Sequence, residues 1–128
     1  MKALLDTSFF VATESGRPLG EMPGVTETEV SVVTLAELTL GVLMANDSDR
    51  AKRVATLSAV ESTWDPVPVD AEVARTFAHV VASLRSRQRR VPILDALIAA
   101  TAIVADGFLA TFNRRDFLRF VPFGLKLA

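Results

Sequence analysis

Short apolar segments of strand length alternate along this chain with longer segments of helical periodicity. The expected strands cover residues 3–5, 29–33, 108–111 and 125–127, and the two prolines of residues 66–69 allow only a short edge strand there. Strands that alternate with helices are typical of a parallel sheet with helices on both faces. We therefore predict an α/β fold, and 128 residues is the usual size of one domain.

Capping residues and apolar periodicity predict the helices. Thr34 and Glu37 fit the capping-box pattern, so a helix is expected from Thr34 to about residue 45. Asp70 is expected to cap a helix whose apolar positions recur at helical spacing. The other expected elements are a helix after Thr7, helices over 50–62 and 94–105, a helical turn over 113–119 and a loop over 16–24.

Four acidic residues lie at one end of these expected strands. Asp6 ends the first strand, Glu37 lies one helical turn past the second, and Asp116 lies beyond strand 108–111. Asp95 opens the helix that leads into that strand, and antiparallel packing of the helix brings its N-terminus to the same edge of the sheet. Ligands of such sheets bind beyond the carboxyl ends of the strands. The sequence therefore predicts one site that contains all four carboxylates.

Carboxylates that converge need protons or a bound cation, because two unit charges about 4 Å apart repel by roughly 4 kcal/mol at an effective dielectric constant near 20. Hard divalent cations prefer oxygen ligands. Two of them about 3.5–4 Å apart can activate a water and stabilise the leaving oxygen of a phosphodiester. We predict a Mg²⁺ site, which Mn²⁺ could also occupy. Polar groups expected to support it are those of Thr7, Ser8, Thr111 and Asn113.

Each of the four acids also has a structural explanation of its own. Asp6 can cap a helix, and Glu37 can complete the capping box. Asp95 is favoured in the first turn of a helix by the helix dipole, and Asp116 can form an ion pair with the two arginines that precede it. Residues that only cap helices need not share one edge of a sheet, so their joint placement favours a site.

Composition limits the chemistry that the chain can perform. It contains no cysteine, which excludes disulfides, thiolate nucleophiles and zinc–thiolate sites, and a single histidine, His79, which cannot supply a multi-histidine metal site. No apolar run reaches the ~18 residues needed to span a membrane, and the apolar start is too short for a signal peptide. A cytoplasmic protein is expected.

The net charge of −1 means that any nucleic-acid site must be a local basic patch. The densest basic cluster immediately precedes the helix that carries Asp95. It consists of Arg85, Arg87, Arg89 and Arg90. Arg114, Arg115 and Arg119 approach from the other side of the expected site. Such a rim could bind a phosphate backbone; the alternative is a solvated helix end that balances the helix dipole.

Four segments, in order, resemble the signatures of a PIN domain. They are residues 4–8, residues 34–38 with Gly41, residues 92–102 and residues 111–117. In detail the chain is similar to the VapC toxins of VapBC toxin–antitoxin pairs. One segment alone would be weakly specific, whereas all four in this order and at this length are strongly specific.

The resemblance implies a three-layer α/β/α PIN domain over residues 1–128, with a central parallel sheet of four to five short strands. It implies a metal-dependent endoribonuclease, usually a homodimer, that is inhibited by a small VapB antitoxin. The carried-over acidic quartet is Asp6, Glu37, Asp95 and Asp116, with Asp6 and Asp95 as direct metal ligands and the other two ligating directly or through water. The family often has a basic residue where this chain has Phe112, and Arg114 or Arg115 could substitute for it.

Homodimerisation is also favoured by three apolar side chains near the C-terminus, those of Phe117, Phe120 and Phe123, which could serve an interface. Three alternative functions are open. Phosphoryl transfer of the haloacid-dehalogenase kind needs an aspartate at the position of Ser8, and a receiver-like signalling domain needs an acidic pair at the first strand. The third is a catalytically inert PIN-like module that binds RNA or protein, and the presence of all four acids argues against it.

Overall fold

Four short parallel strands form the central sheet of this computed structural model, which describes residues 1–16 and 22–128. The strands are β1 (Lys2–Leu5), β2 (Glu27–Glu29), β3 (Phe108–Ala110) and β4 (Lys126–Leu127). Their order in the sheet is β2-β1-β3-β4, and each neighbouring pair is parallel. Leu4 pairs with Glu29 on one side and with Leu109 on the other, so β1 is a central strand.

In the part of the chain that the structure describes, six α-helices connect or cover these strands. They are α1 (Thr7–Glu14), α2 (Val32–Leu43), α3 (Asp47–Thr63), α4 (Ala71–Ser86), α5 (Ile93–Val104) and α6 (Arg114–Phe117), which continues into a 3₁₀ segment, Leu118–Phe123. Within the described residues, none of these helices has the length and apolar character that crossing a membrane requires.

The sheet separates two hydrophobic cores because successive strand residues point to opposite faces. Leu4 and Leu109 pack with α4, α5 and the 3₁₀ segment on one face. Ala3, Leu5 and Ala110 pack with α1 and α3 on the other face. The predicted α/β/α arrangement with a parallel sheet of four to five strands is therefore confirmed.

The start of α2 differs from the prediction. The helix begins at Val32, and Ser31 is its N-cap, accepting a 3.0 Å hydrogen bond from the Val33 amide. Thr34 lies inside the helix and is fully buried, so the predicted capping box is wrong. The second strand consequently ends at Glu29, before the β-branched residues that we assigned to it. Two possible caps three residues apart made the helix start ambiguous in the sequence.

Other local predictions have mixed outcomes. Asp70 caps α4 as expected, accepting a 3.0 Å hydrogen bond from the Val73 amide. Residues 66–69 form no strand and contribute an isolated bridge between Val67 and Ser31. Of the expected loop over 16–24, residues 17–21 lie outside the described residues. Phe117 and Phe120 are buried in the core, so they cannot serve the subunit interface that we expected of them.

Candidate active site

The fold brings the four predicted acids to the carboxyl ends of the strands. Asp6 directly follows β1, and Glu37 lies in the second turn of α2. Asp95 lies in the first turn of α5, and Asp116 lies in α6, just beyond β3. Burial and then charge repulsion from the other three acids raise the pKa of Asp95, so each of the three lies within electrostatic reach of Asp95.

Asp6 is the most buried of the four, with 4% of its surface exposed. Its Oδ2 accepts hydrogen bonds from Ser8 Oγ at 2.8 Å and from Thr111 Oγ1 at 2.7 Å. Its amide donates to the Ala110 carbonyl at 2.9 Å, which extends the pairing of β1 with β3. Both side-chain hydrogen bonds involve Oδ2, so Oδ1 is the oxygen available to a ligand.

Glu37 is positioned through a chain of hydroxyl groups. Thr7 Oγ1 donates a 2.7 Å hydrogen bond to Glu37 Oε1 and also lies 3.0 Å from Thr34 Oγ1. Burial raises the pKa of Glu37, the Thr7 hydrogen bond lowers it, and repulsion from Asp6 raises it. Thr34, which the sequence suggested as a helix cap, instead supports the hydroxyl that orients this carboxylate.

Asp95 has the most perturbed ionisation in the site. The pKa of Asp95 is raised to about 6, most of all by burial and then by repulsion from Asp6, Glu37 and Asp116. Arg119 acts in the opposite direction. The charged form of Asp95 is therefore disfavoured, and a cation among these carboxylates would stabilise it.

Two further hydrogen bonds order the segment after β3, and one of them joins it to α1. The Phe112 amide donates to Ser8 Oγ at 3.0 Å, and the Asn113 amide donates to Thr111 Oγ1 at 2.9 Å. Ser8 Oγ and Thr111 Oγ1 lie 3.3 Å apart. Because Ser8 and Thr111 also donate to Asp6, these contacts fix the strand ends around that carboxylate.

A groove of about 440 Å³ opens at this edge of the sheet. Its polar lining consists of Asp6, Thr7, Ser8, Ser15, Glu37, Asp95 and Asn113. Asp116 is exposed and lies outside the lining, although its charge acts on Asp95. Thr111 is also outside the lining, and it contacts the site by donating a hydrogen bond to Asp6.

The donor set of this groove fits a hard divalent cation, since it offers carboxylate and hydroxyl oxygens. Within residues 1–16 and 22–128, however, no three His, Asp or Glu side chains are arranged to hold one ion between them. Charge repulsion acts over distances longer than a metal–ligand bond. The acids therefore lie near one another, and their side chains would have to move closer together to bind one ion.

A second, larger cavity of about 820 Å³ lies beside the start of α5. Four of the six arginines predicted to bind RNA line it, and Arg119 joins them. The lining arginines are Arg87, Arg89, Arg90, Arg115 and Arg119. Arg85 is exposed on the last turn of α4 and lies outside the lining. Arg114 is also outside it, and its guanidinium donates to the Ala128 carbonyl.

Comparison with known proteins identifies the family. The family model described as PIN domain matches residues 3–121. The chain belongs to the PIN domain family. This PIN domain is 48% identical over 100 residues to "Ribonuclease VapC5" of Mycobacterium tuberculosis, which covers 77% of the chain and 73% of the relative. It is 40% identical over 116 residues to "Ribonuclease VapC4" of the same organism, which covers 91% of the chain and 88% of the relative.

Solved structures agree with this assignment. VapBC-5 from Mycobacterium tuberculosis superposes with a TM-score of 0.76 at 35% identity, covering 93% of this PIN domain and 90% of that chain. A DNA-bound VapBC from Salmonella typhimurium gives a TM-score of 0.82 at 22% identity and covers 100% and 97% of the two chains, which supports the fold alone. The predicted resemblance to PIN domains and VapC toxins is confirmed.

Proposed function

We propose that this PIN domain is an endoribonuclease toxin of the VapC kind, which hydrolyses RNA phosphodiester bonds and is neutralised by a VapB-type antitoxin. The observation that carries the proposal is the convergence of four acids at the carboxyl edge of a parallel sheet. Relatives named ribonucleases align with most of the chain. The inert binding module is not favoured, because those relatives carry an enzyme's name.

Metal binding is part of the proposal, with Mg²⁺ as the cofactor and Mn²⁺ as a substitute. Asp6 and Asp95 are the proposed direct ligands, and Glu37 and Asp116 would ligate directly or through water. Supporting this, burial and repulsion from neighbouring acids raise the pKa values of Asp95 and Glu37, and a bound cation would stabilise their charged forms. Divalent cations supply such sites with an activated water and with charge that stabilises the leaving oxygen.

The neighbouring hydroxyl groups have positioning roles in this proposal. Ser8 and Thr111 donate to Oδ2 of Asp6 and so direct Oδ1 toward the groove. Thr7 donates a hydrogen bond to Oε1 of Glu37, and this contact fixes the orientation of that carboxylate. Asn113 lines the groove next to them and is placed to contact a bound ligand.

The RNA backbone would be held by arginines on the rim of the site. Arg87, Arg89, Arg90 and Arg115 share one cavity, and guanidinium groups bind phosphate with bidentate geometry. Arg85 and Arg114 lie outside that cavity and would contribute through longer-range attraction. The overall charge of −1 makes this local concentration of positive charge the main attraction for RNA.

The proposed partners are a VapB-type antitoxin, the RNA substrate and a second copy of the chain, and the proposed location is the cytoplasm. The structure at 35% identity is VapBC-5, a member of the VapBC family of toxin–antitoxin systems, which supports an antitoxin partner for this chain. The homodimer is proposed by resemblance to the family, since the buried Phe117 and Phe120 do not contribute to it.

The decisive experiment is incubation of a total RNA pool with purified, antitoxin-free protein in Mg²⁺, in Mn²⁺ and in EDTA. Asp95→Asn is the test variant, and Asp65→Asn is the control because it makes the same change at an exposed residue outside the groove. Discrete products that require metal, and that are lost only in Asp95→Asn, are expected. Full activity of a folded Asp95→Asn variant would refute the role of that residue.

A further inference from the structure

The arginine cavity is a separate compartment from the acidic groove. It opens between the end of α4, the turn into α5 and the 3₁₀ segment, and it shares no lining residue with the groove. Pro92 belongs to its lining, and Asp95 follows one helical turn later, about 5 Å along the axis of α5. A strand bound in one compartment would therefore extend directly into the other.

The lining of this cavity carries positive charge and no carboxylate. The ion pairs among the described residues involve Lys2, Arg50 and Lys126, and none includes a cavity arginine. Several guanidinium groups around one space repel each other unless an anion enters it. The cavity is therefore suited to a ligand that carries more than one negative charge.

Backbone hydrogen bonds fix the turn that carries Arg87, Arg89 and Arg90. Gln88 adopts the left-handed conformation, with φ of 57°. The amides of Arg87 and Arg89 both donate to the Leu84 carbonyl, at 3.2 and 3.1 Å, which closes the turn on either side of Gln88. Across the cavity, Arg119 Nη1 donates to the Arg90 carbonyl at 2.9 Å. Arg119 also lowers the pKa of Asp95, so its charge is felt in both compartments.

We infer that the arginine cavity binds phosphates of the RNA strand next to the cleaved bond and thereby sets where the strand lies in the acidic groove. This rests on the proposed function. One guanidinium group can donate two hydrogen bonds to two oxygens of a phosphate. Leu118 and Phe123 add apolar surface to the lining. A basic groove with an aromatic or apolar surface is typical of sites for single-stranded nucleic acid. The ligand is therefore an RNA backbone rather than an acidic protein segment.

The test is binding of a short fluorescein-labelled single-stranded RNA in EDTA, followed by anisotropy over a range of KCl concentrations. The test variant is Arg87→Gln with Arg115→Gln. The control is Lys52→Gln with Arg75→Gln, which removes the same charge from exposed helical positions outside the cavity. Loss of two phosphate contacts should lower the slope of log affinity against log salt by about 1.4, at roughly 0.7 per contact for a single strand. Affinity should fall at least about tenfold in the test variant and much less in the control.

Two results would overturn the inference. An equal loss of affinity in both double variants would mean that only overall charge matters. Tighter binding of a fluorescein-labelled hexaglutamate than of RNA, lost in the test variant alone, would assign the cavity to an acidic protein segment. Circular dichroism verifies that each variant is folded.

A cleavage assay separates this inference from the proposed function. Metal-dependent cleavage by the wild type, with the same products and rate in the test variant, would refute the role of the cavity in RNA binding. The proposed nuclease activity would then stand. RNA binding that depends on Arg87 and Arg115, without any cleavage in Mg²⁺ or Mn²⁺, would support the cavity and refute the nuclease.

Discussion

Thr111 donates a 2.7 Å hydrogen bond to Asp6 across 105 positions of sequence, and this buried contact joins the ends of the two central strands. Thr111 is 9% exposed and Asp6 is 4% exposed, so water cannot readily replace the hydroxyl. The orientation of Asp6 in the groove therefore depends on a residue that does not line the groove itself.

Thr111→Val should lower both cleavage activity and stability. Valine keeps the shape of threonine but removes the donor, which leaves Asp6 Oδ2 with the Ser8 hydrogen bond only. A hydrogen bond to a charged group contributes about 1.5–3 kcal/mol. Urea unfolding should therefore give a free energy of unfolding that is lower by that order. Single-turnover cleavage should be at least tenfold slower.

Thr101→Val is the matched control for Thr111→Val. Thr101 is buried and its hydroxyl donates to the Leu97 carbonyl within α5, away from the carboxylates. This variant should change the urea midpoint and leave the single-turnover rate close to that of the wild type. Equal rate losses in both variants would mean that the effect at Thr111 is one of general packing.

Thr7→Val should move the acidic limb of the pH–activity profile to higher pH. The Thr7 hydrogen bond lowers the pKa of Glu37, so its removal lets burial and Asp6 raise that pKa further. Glu37 then becomes charged only at higher pH. The measurement is kcat/KM against pH for wild type, Thr7→Val and Thr7→Ser, and the serine variant should restore the wild-type profile because it keeps the hydroxyl. An unshifted profile in Thr7→Val would contradict the role of the contact.

Asp95→Asn should stabilise the metal-free protein at neutral pH. The folded-state pKa of Asp95 is raised to about 6 from 3.8, so the folded state binds a proton more readily than the unfolded state does. The contribution of Asp95 to stability is therefore most favourable below pH 3.8 and is lost as pH rises through about 6. Because the group is partly exposed, the penalty above that pH is discounted to about 1 kcal/mol.

Urea unfolding in EDTA at several pH values checks this expectation. Between pH 4 and pH 7 the wild type should lose stability relative to Asp95→Asn, and the difference should be largest at the upper end. Asp65→Asn should not reproduce it, since Asp65 lies outside the groove. A neutral-pH wild type that is more stable than Asp95→Asn would show that the carboxylate is not under repulsion.

Mg²⁺ should raise the melting temperature of the wild type and have little effect on Asp6→Asn. An ion that binds only the folded protein stabilises it by about 2.7 kcal/mol at a concentration of one hundred times Kd. Asp6 is the proposed direct ligand whose free oxygen faces the groove, so its amide variant should lose most of this gain. Thermal unfolding over a Mg²⁺ titration measures the melting temperatures of the two proteins. Calorimetry measures their Mg²⁺ binding in parallel. The same shift in Asp6→Asn would place the ion elsewhere.

The sequence was sufficient to predict the parallel sheet and the placement of the four acids at its carboxyl edge. Asp6 and Asp116 each lie just beyond an apolar strand, and parallel strands end at one edge, so their neighbourhood follows from chain order. Asp95 required one further step, the antiparallel return of α5, which the alternation of elements also implied.

The supporting contacts could not be predicted in this way. The local pattern made Thr34 look like a helix cap. Its actual partner, Thr7, is 27 positions away in the chain and meets it only in the folded state, so no local pattern could reveal the contact. The path of the chain from Arg87 to Arg89 and Arg90 depends on the left-handed conformation of Gln88, which a residue other than glycine rarely adopts. The burial of Phe117 and Phe120 likewise depends on packing against α5, not on local pattern.

The central position of β1 has a consequence for synthesis. A chain made from its N-terminus exposes Asp6 and Ser8 first, but the neighbouring strand β3 and the Thr111 hydroxyl follow about 105 residues later. A partly translated chain therefore carries the carboxylate without the strand that positions it. The ribosome that makes this protein is not exposed to an assembled nuclease site until Thr111 has emerged.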